Sequence, residues 1–299
     1  MSAQPRVLVV GAGGQVGWEL QKQSRDFGDV TAVDRRAVDL TVPDQIRTVV
    51  RRVKPQVILN AAAYTAVDRA ESEQELAMAV NACAPGILAE EARDCGALLV
   101  HYSTDYVFDG EQQEPWKETD EPNPQNFYGV SKLAGERAIA AVGGNFLIFR
   151  TSWVYGPHGS NFLHTMLRLA RQRSEISVVN DQFGAPTTSI ELAKATLTVV
   201  QEALAGKSGE ASRWAGLYHM TCSGSTTWFG FAQAIFARAG RLLEGKGPAV
   251  VPIPARDYPS PARRPQYSVL CNANLCERFD VRLAPWEAAL DDVIRELEG

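Results

Sequence analysis

Uninterrupted apolar runs recur along the first half of the chain, at 6–10 (RVLVV), 29–34 (DVTAVD), 56–60 (QVILN), 97–103 (ALLVHYS) and 145–150 (NFLIFR). A strand with one wet face alternates polar and apolar residues, whereas a strand covered on both faces does not, so these runs read as strands of a parallel sheet. Between them, segments 15–25, 43–53, 72–94 and 129–141 have the length and apolar spacing of crossover helices. The fold class predicted is α/β, a doubly wound parallel sheet with a smaller C-terminal lobe. Beyond about residue 150 the pattern loosens, with a proline-rich stretch at 248–265 and turn signals at 156–160 and 206–209. Segment 189–205 still reads as a sheet-covering helix, and 216–221 (GLYHMT) as one more strand. The expected division gives residues 1–155 to the sheet domain, with 188–220 returning to it, and 156–187 with 221–299 to the smaller lobe.

Composition narrows the function more than the fold. With 45% apolar and 22% charged residues over 299 positions, the chain is that of a globular protein. Its net charge of -5 argues against a nucleic-acid backbone as principal partner, so any phosphate it handles belongs to a small ligand. Five widely spaced cysteines with no Cys-x-x-Cys pair are expected to be reduced core thiols. The apolar run near the N-terminus is too short for a signal peptide or a membrane span, which points to the cytoplasm and to no membrane partner.

Directly after the first strand comes GAGGQVG, with Gly11, Gly14 and Gly17 spaced as G-x-x-G-x-x-G around Gln15 and Val16. A glycine turn lets backbone amides reach a pyrophosphate, the helix that follows adds its positive end, and the last glycine lets helix pack on strand. Asp34 closes the second strand, where a carboxylate accepts hydrogen bonds from the adenosine ribose. Arg35 and Arg36 follow it, and a guanidinium there suits the 2'-phosphate of NADP, so NADPH and NADH are both expected cofactors of a Rossmann-like domain. Asp39 and Leu40 are candidates for the adenine side, and Ala62, Ala63, Tyr64 and Thr65 for the floor beneath the cofactor. The alanines read equally well as helix-packing residues.

The motifs NAAAYTAVD, HYSTDYVFDG, YGVSKLAGE, FRTSWVYG and DQFGAPT, together with the glycine fingerprint, resemble those of the extended short-chain dehydrogenase/reductase superfamily over essentially the whole chain. That resemblance implies reduction of the 4-keto group of dTDP-4-dehydro-L-rhamnose, a sugar nucleotide. The residues support it independently. A ketone accepting hydride develops negative charge on oxygen, so an acid and a second hydrogen-bond donor must converge there. Tyr128 is the candidate acid and Thr104 the second donor. Lys132, one helical turn on, is expected to lower the phenol from about 10 and to bond the nicotinamide ribose. Tyr-x-x-x-Lys is otherwise an ordinary exposed i, i+4 pair.

The same resemblance gives Asp105, Trp153, Asn161 and Arg263 to the sugar nucleotide, with Phe162 and Arg264 nearby. Trp153 reads equally as a core aromatic and Arg264 as loop solubility. The four histidines show no ligand spacing and are assigned to packing or surface. Relatives that use Mg2+ hold it with glutamates at a dimer interface, and Glu19, Glu191 and Glu287 fall in the matching segments, but the metal is left unassigned. A homodimer is compatible with the resemblance. Two other functions compete: an epimerase or dehydratase of the same superfamily, and a reductase-like regulatory subunit without catalysis. The dehydratases carry Asp-Glu after the threonine, and here Tyr106 follows Asp105, which argues against water elimination.

Overall fold

The five apolar runs lie side by side. The computed structural model describes residues 4–205, 214–243, 245 and 247–299, and its main sheet contains β1 (Arg6–Val10), β2 (Asp29–Val33), β3 (Val57–Asn60), β4 (Leu98–Thr104) and β5 (Phe146–Thr151). With the strand Gly216–His219 on the outer edge, the order is Gly216–His219, β5, β4, β3, β1, β2, every pair parallel. Successive residues point to opposite faces, and two apolar clusters form: Leu8, Val10, Ile58, Leu99 and Ile148 on one side, Val7, Val9, Leu59, Val100 and Phe149 on the other. That double cover is why the strands are continuously apolar.

Helix α1 (Gln15–Gln23) follows β1, and α2 (Pro43–Val53) begins with proline, whose missing N–H costs a helix nothing at its first turn. The expected helix 72–94 is interrupted. After the single turn α3 (Val67–Ala70), α4 (Gln74–Met78) passes through a π turn at Ala79–Cys83 into α5 (Ala84–Cys95). Asn81 supplies the cause: its buried amide accepts from Tyr64 N at 2.8 Å and donates to Tyr64 O at 3.0 Å and Ser131 Oγ at 2.9 Å, cross-linking the turn to two other segments. Helix α6 (Phe127–Val142) starts two residues earlier than expected, capped by Asn126, whose Oδ1 accepts from Gly129 N at 2.8 Å.

The second half is more regular than its sequence suggested. It contains α7 (Phe162–Ala170), α8 (Ser189–Ala205), α9 (Trp228–Arg238), α10 (Ala273–Phe279) and α11 (Trp286–Glu298), and the strands Glu175–Val179 and Ala249–Ile253 pair in parallel. The turn signal at 206–209 lies outside the described residues. All five cysteines are free, but only Cys222 is buried. Cys83 and Cys95 are exposed, because they sit in the π turn and at the end of α5, so the expectation of core thiols fails for them. Among the described residues no helix is long and apolar enough to cross a membrane.

Candidate active site

At the carboxyl ends of β1 and β3, where the sheet order reverses direction, open α/β sheets leave a crevice. Here it is a cleft of about 760 Å³. Gly11, Gly14, Gln15 and Val16 line one end, with Asp34, Arg35, Arg36, Asp39 and Leu40 beside them. Ala62, Ala63, Tyr64 and Thr65 line the middle, and Tyr128 and Lys132 the far end. Gly17 is not in the lining. A Cβ there would lie 2.1 Å from the Gly11 carbonyl oxygen, so its role is to let α1 pack on the glycine turn. The helix presents its first turn to the cleft with no side chain capping it, and Thr151 brings a buried hydroxyl without a partner to the same lining. An uncapped helix end and an unused hydroxyl in one groove fit a dinucleotide.

The reacting end is built where α6 meets the turn after β4. Gly129 makes the approach possible, since a Cβ on it would lie 2.2 Å from Tyr106 O. Tyr128 is thereby set against Tyr106, ring centroids 5.9 Å apart and edge to face, with Thr104 as its hydrogen-bonding neighbour. Thr104 Oγ1 also donates to Asp105 Oδ1 at 3.0 Å and accepts from Tyr106 N at 3.1 Å. Burial pushes the Tyr128 phenol up to about 12, with Thr104 pulling it down and the Asp105 charge adding to the rise. Lys132 is not among the groups acting on it. The expected lowering of the phenol by Lys132 is therefore corrected: Lys132 Nζ turns inward, donating to Tyr102 O at 2.5 Å and lying 3.2 Å from His101 Nε2.

Asp105 is buried, and its Oδ2 has no partner. Burial raises it to about 7, opposed by hydrogen bonds from Ser268, Thr104 and the local backbone. A carboxyl whose folded pKa exceeds its unfolded value favours folding below the unfolded pKa and loses that contribution as pH rises through the folded one. Asp105→Asn is therefore expected to be more stable than the parent at about pH 8, by on the order of 2–4 kcal/mol, with no gain near about pH 4. Urea unfolding at the two pH values measures this. An equal shift at both would show that the charge is not what burial opposes.

A second cleft is lined by Phe162, Met166, Trp228, Arg256, Arg263 and Arg264, among others. Arg263 and Phe162 thus share one wall system. Trp153 lines neither cleft: it holds a left-handed backbone (φ 47°) and stacks on Trp228 at 3.6 Å between centroids. Asn161 caps α7, accepting from His164 N at 3.0 Å, and its amide donates to Gln15 Oε1 at 2.9 Å, tying the glycine turn to the second half of the chain. Arg264 is not a free loop cation; it pairs with Asp68 at 2.9 Å and contacts Ser260.

Within one chain, Glu19, Glu191 and Glu287 form no metal-ligand grouping among the described residues. Glu191 accepts from Ala284 N at 2.9 Å and Glu287 is exposed. Among the described residues the grouping is Glu19, His158 and Glu296, with ligand atoms within 4.8 Å of one another, and Lys22 occupies Glu296 at 3.1 Å. An imidazole and an ammonium beside two carboxylates do not match the oxygen shell magnesium demands, so no step is derived through it.

Four residues of the site escaped sequence reasoning: Asn60, His101, Glu136 and Arg150. His101, expected in packing or on the surface, is buried against Lys132. The available signal was its position, a polar side chain inside an otherwise apolar run of β4.

Comparison with known proteins places this geometry. Residues 5–298 match the family described as the RmlD substrate binding domain. A dTDP-4-dehydrorhamnose reductase from Burkholderia thailandensis is 48% identical, over 98% of this chain and 99% of that protein. The Escherichia coli K12 enzyme of the same name is 43% identical over 97% of both. Among solved structures, the dTDP-4-dehydrorhamnose reductase of Bacillus anthracis in complex with NADP superimposes with a TM-score of 0.89 at 36% identity, covering 98% of this chain and 99% of that one. A Thermus thermophilus UDP-glucose 4-epimerase with NAD shares the fold at TM-score 0.79 and 22% identity.

Proposed function

The chain belongs to the dTDP-4-dehydrorhamnose reductase family, and from that premise we propose that its two clefts meet around one reaction: NAD(P)H-dependent reduction of the 4-keto group of dTDP-4-dehydro-L-rhamnose. The observation that carries this reading is that Tyr128 and Lys132 line the same groove as Gly11, Gly14 and Asp34.

The bound nicotinamide supplies the hydride. Everything else is done by the chain. Gln15 and Val16 offer backbone N–H groups to the pyrophosphate, Gly14 N being engaged by Gly11 O at 3.0 Å, while Asp34 and Arg35 hold the adenosine ribose end. Lys132 bonds the nicotinamide ribose, and Thr104 with Tyr128 brackets the carbonyl oxygen. Thr104 turns its one hydroxyl proton from Asp105 Oδ1 onto it, and Tyr128 releases its proton as negative charge develops. Burial leaves the phenol harder to ionise than in water, which keeps it protonated and ready; the alkoxide formed by hydride addition is a far stronger base than the phenolate left behind. Asp105, Trp153, Asn161 and Arg263 are the proposed sugar-nucleotide residues. We take 1–155 with 188–220 as the cofactor-binding part and 156–187 with 221–299 as the substrate lobe. The setting we infer is cytoplasmic, and a homodimer is the assembly we expect.

Mixed with NADPH and freshly generated 4-keto-6-deoxy sugar nucleotide, the purified protein is expected to consume reduced cofactor in step with product. Product without net consumption would favour an epimerase. Cofactor binding with no consumption would favour the regulatory subunit.

A further inference from the structure

Asn60 and His101 are register partners on β3 and β4, so their side chains leave the sheet on the same face. Both are buried, as is Lys132 above them. Ala62 N donates to Asn60 Oδ1 at 3.3 Å, which turns the amide nitrogen toward His101, and Asn60 Nδ2 lies 2.9 Å from His101 Nδ1. The amide can only donate there, so Nδ1 carries the lone pair. A neutral imidazole then has its proton on Nε2, the nitrogen 3.2 Å from Lys132 Nζ. An ammonium cannot accept an N–H. An amine can, while still donating to Tyr102 O at 2.5 Å. Rotating the Asn60 amide offers no escape, since it sets donor against donor at Ala62 N.

We propose that Asn60 and His101 form a tautomer-selecting relay that presents an N–H to Lys132, so that in the resting protein the neutral amine is favoured more than in an ordinary lysine and a proton is taken up as the dinucleotide binds. The proposal rests on reading Lys132 as a cofactor-binding group. His101 acts through Lys132 and is a positioning residue.

The surrounding charges agree with it. Glu136 on α6 and His101 on β4 are the titratable groups acting with Lys132; Ser103 on β4 and Arg150 on β5 are bonded to Glu136, and Tyr128 lines the same cleft. Glu136 favours the ammonium, but it is held by Arg150 through two hydrogen bonds of 2.9 and 2.6 Å. Burial prevails and pushes Lys132 down to about 8. Burial and the neighbouring Lys132 also hold His101 well below the usual imidazole range, which removes the imidazolium. The proton comes from solvent: one H+ moves from water or buffer to Nζ, with no change of oxidation state. Cofactor affinity therefore falls as pH rises, approaching tenfold per pH unit above the resting value.

The test reads the tautomer directly. Only four histidines are present, so long-range proton–nitrogen NMR of nitrogen-15 histidine-labelled resting protein resolves each ring. The His101 signal is assigned by its loss in His101→Phe or, should that chain not fold, by its response to NADH. The expected result is the Nε2–H form. An Nδ1–H ring or an imidazolium overturns the proposal. Calorimetric binding of NADH at about pH 9, roughly one pH unit above the resting Lys132 value, in two buffers of different ionisation enthalpy, should show uptake approaching about one proton, and binding without uptake overturns it. In Asn60→Asp the carboxylate can only accept, which forces the Nδ1–H ring and a charged Lys132, and uptake should vanish. The resting tautomer is read without cofactor or substrate, so a failed reductase assay leaves this measurement standing.

Discussion

Tyr128→Phe is expected to bind NADPH as tightly as the parent while turning over on the order of 10²–10⁴-fold more slowly. The ring keeps its edge-to-face contact with Tyr106 at 5.9 Å, so packing survives and only the transferable proton is removed. A loss confined to an interaction made in the transition state lowers kcat and kcat/KM together. Fluorescence titration with NADPH and steady-state rates on the same preparation separate the two. Equal loss of cofactor affinity would reduce Tyr128 to scaffold. The pH profile sharpens the assignment. The phenol lies at about 12 and Lys132 at about 8, so a basic limb of kcat/KM near the lower value belongs to Lys132 and should persist in the residual activity of Tyr128→Phe.

Much of this geometry was legible because parallel sheets impose a demand the sequence cannot hide. β1, β3 and β4 must be apolar on both faces, and the glycine turn follows β1 at once, so cofactor groove and strand edge could be located together. The Tyr128–Lys132 spacing placed both residues in the first two turns of α6. What their side chains do there was not legible. Lys132 was expected to face the phenol, yet it turns inward because β4 offers it the Tyr102 carbonyl and the His101 ring. That pairing joins residues 31 positions apart and depends on register, as does Asn60 with His101 across 41 positions. The π turn was invisible for a related reason: Asn81 bends the helix by bonding Tyr64 and Ser131, partners set by tertiary contact. Helix α11 is a different case. Trp286, Ala289, Leu290, Val293 and Ile294 are buried at helical spacing, so its period was present in the sequence but went unread among irregular neighbours.

Glu136→Gln is the substitution expected to cost most in stability, about 3–5 kcal/mol by urea unfolding. Glu136 and Arg150 are only 4% and 3% exposed and meet through Oε2 to Nη2 at 2.6 Å and Oε1 to Nε at 2.9 Å. Ser103 Oγ adds a third bond to Oε1 at 2.5 Å. Arg150 Nη1 already lacks a partner, and the guanidinium rests over the Phe108 ring at 5.0 Å. Remove the carboxylate's charge and that cation is left in a dry interior with the Phe108 ring face and the more distant Glu118 carboxylate to stabilise it. The desolvation penalty, not the lost attraction, sets the size of the effect, so the double variant Glu136→Leu with Arg150→Met should recover most of the loss. If the double variant is as unstable as the single one, packing and not stranded charge is responsible. The pair also reaches the chemistry. Ser103 is bonded to Glu136 and precedes Thr104, whose register partner on β5 is Thr151, next to Arg150. The recovered double variant should therefore fold yet show reduced kcat with NADPH affinity preserved, because Ser103 loses its anchor and the Thr104 hydroxyl is no longer held against Tyr128. A double variant restored in both stability and turnover would mean that the β4 backbone alone is enough to aim Thr104.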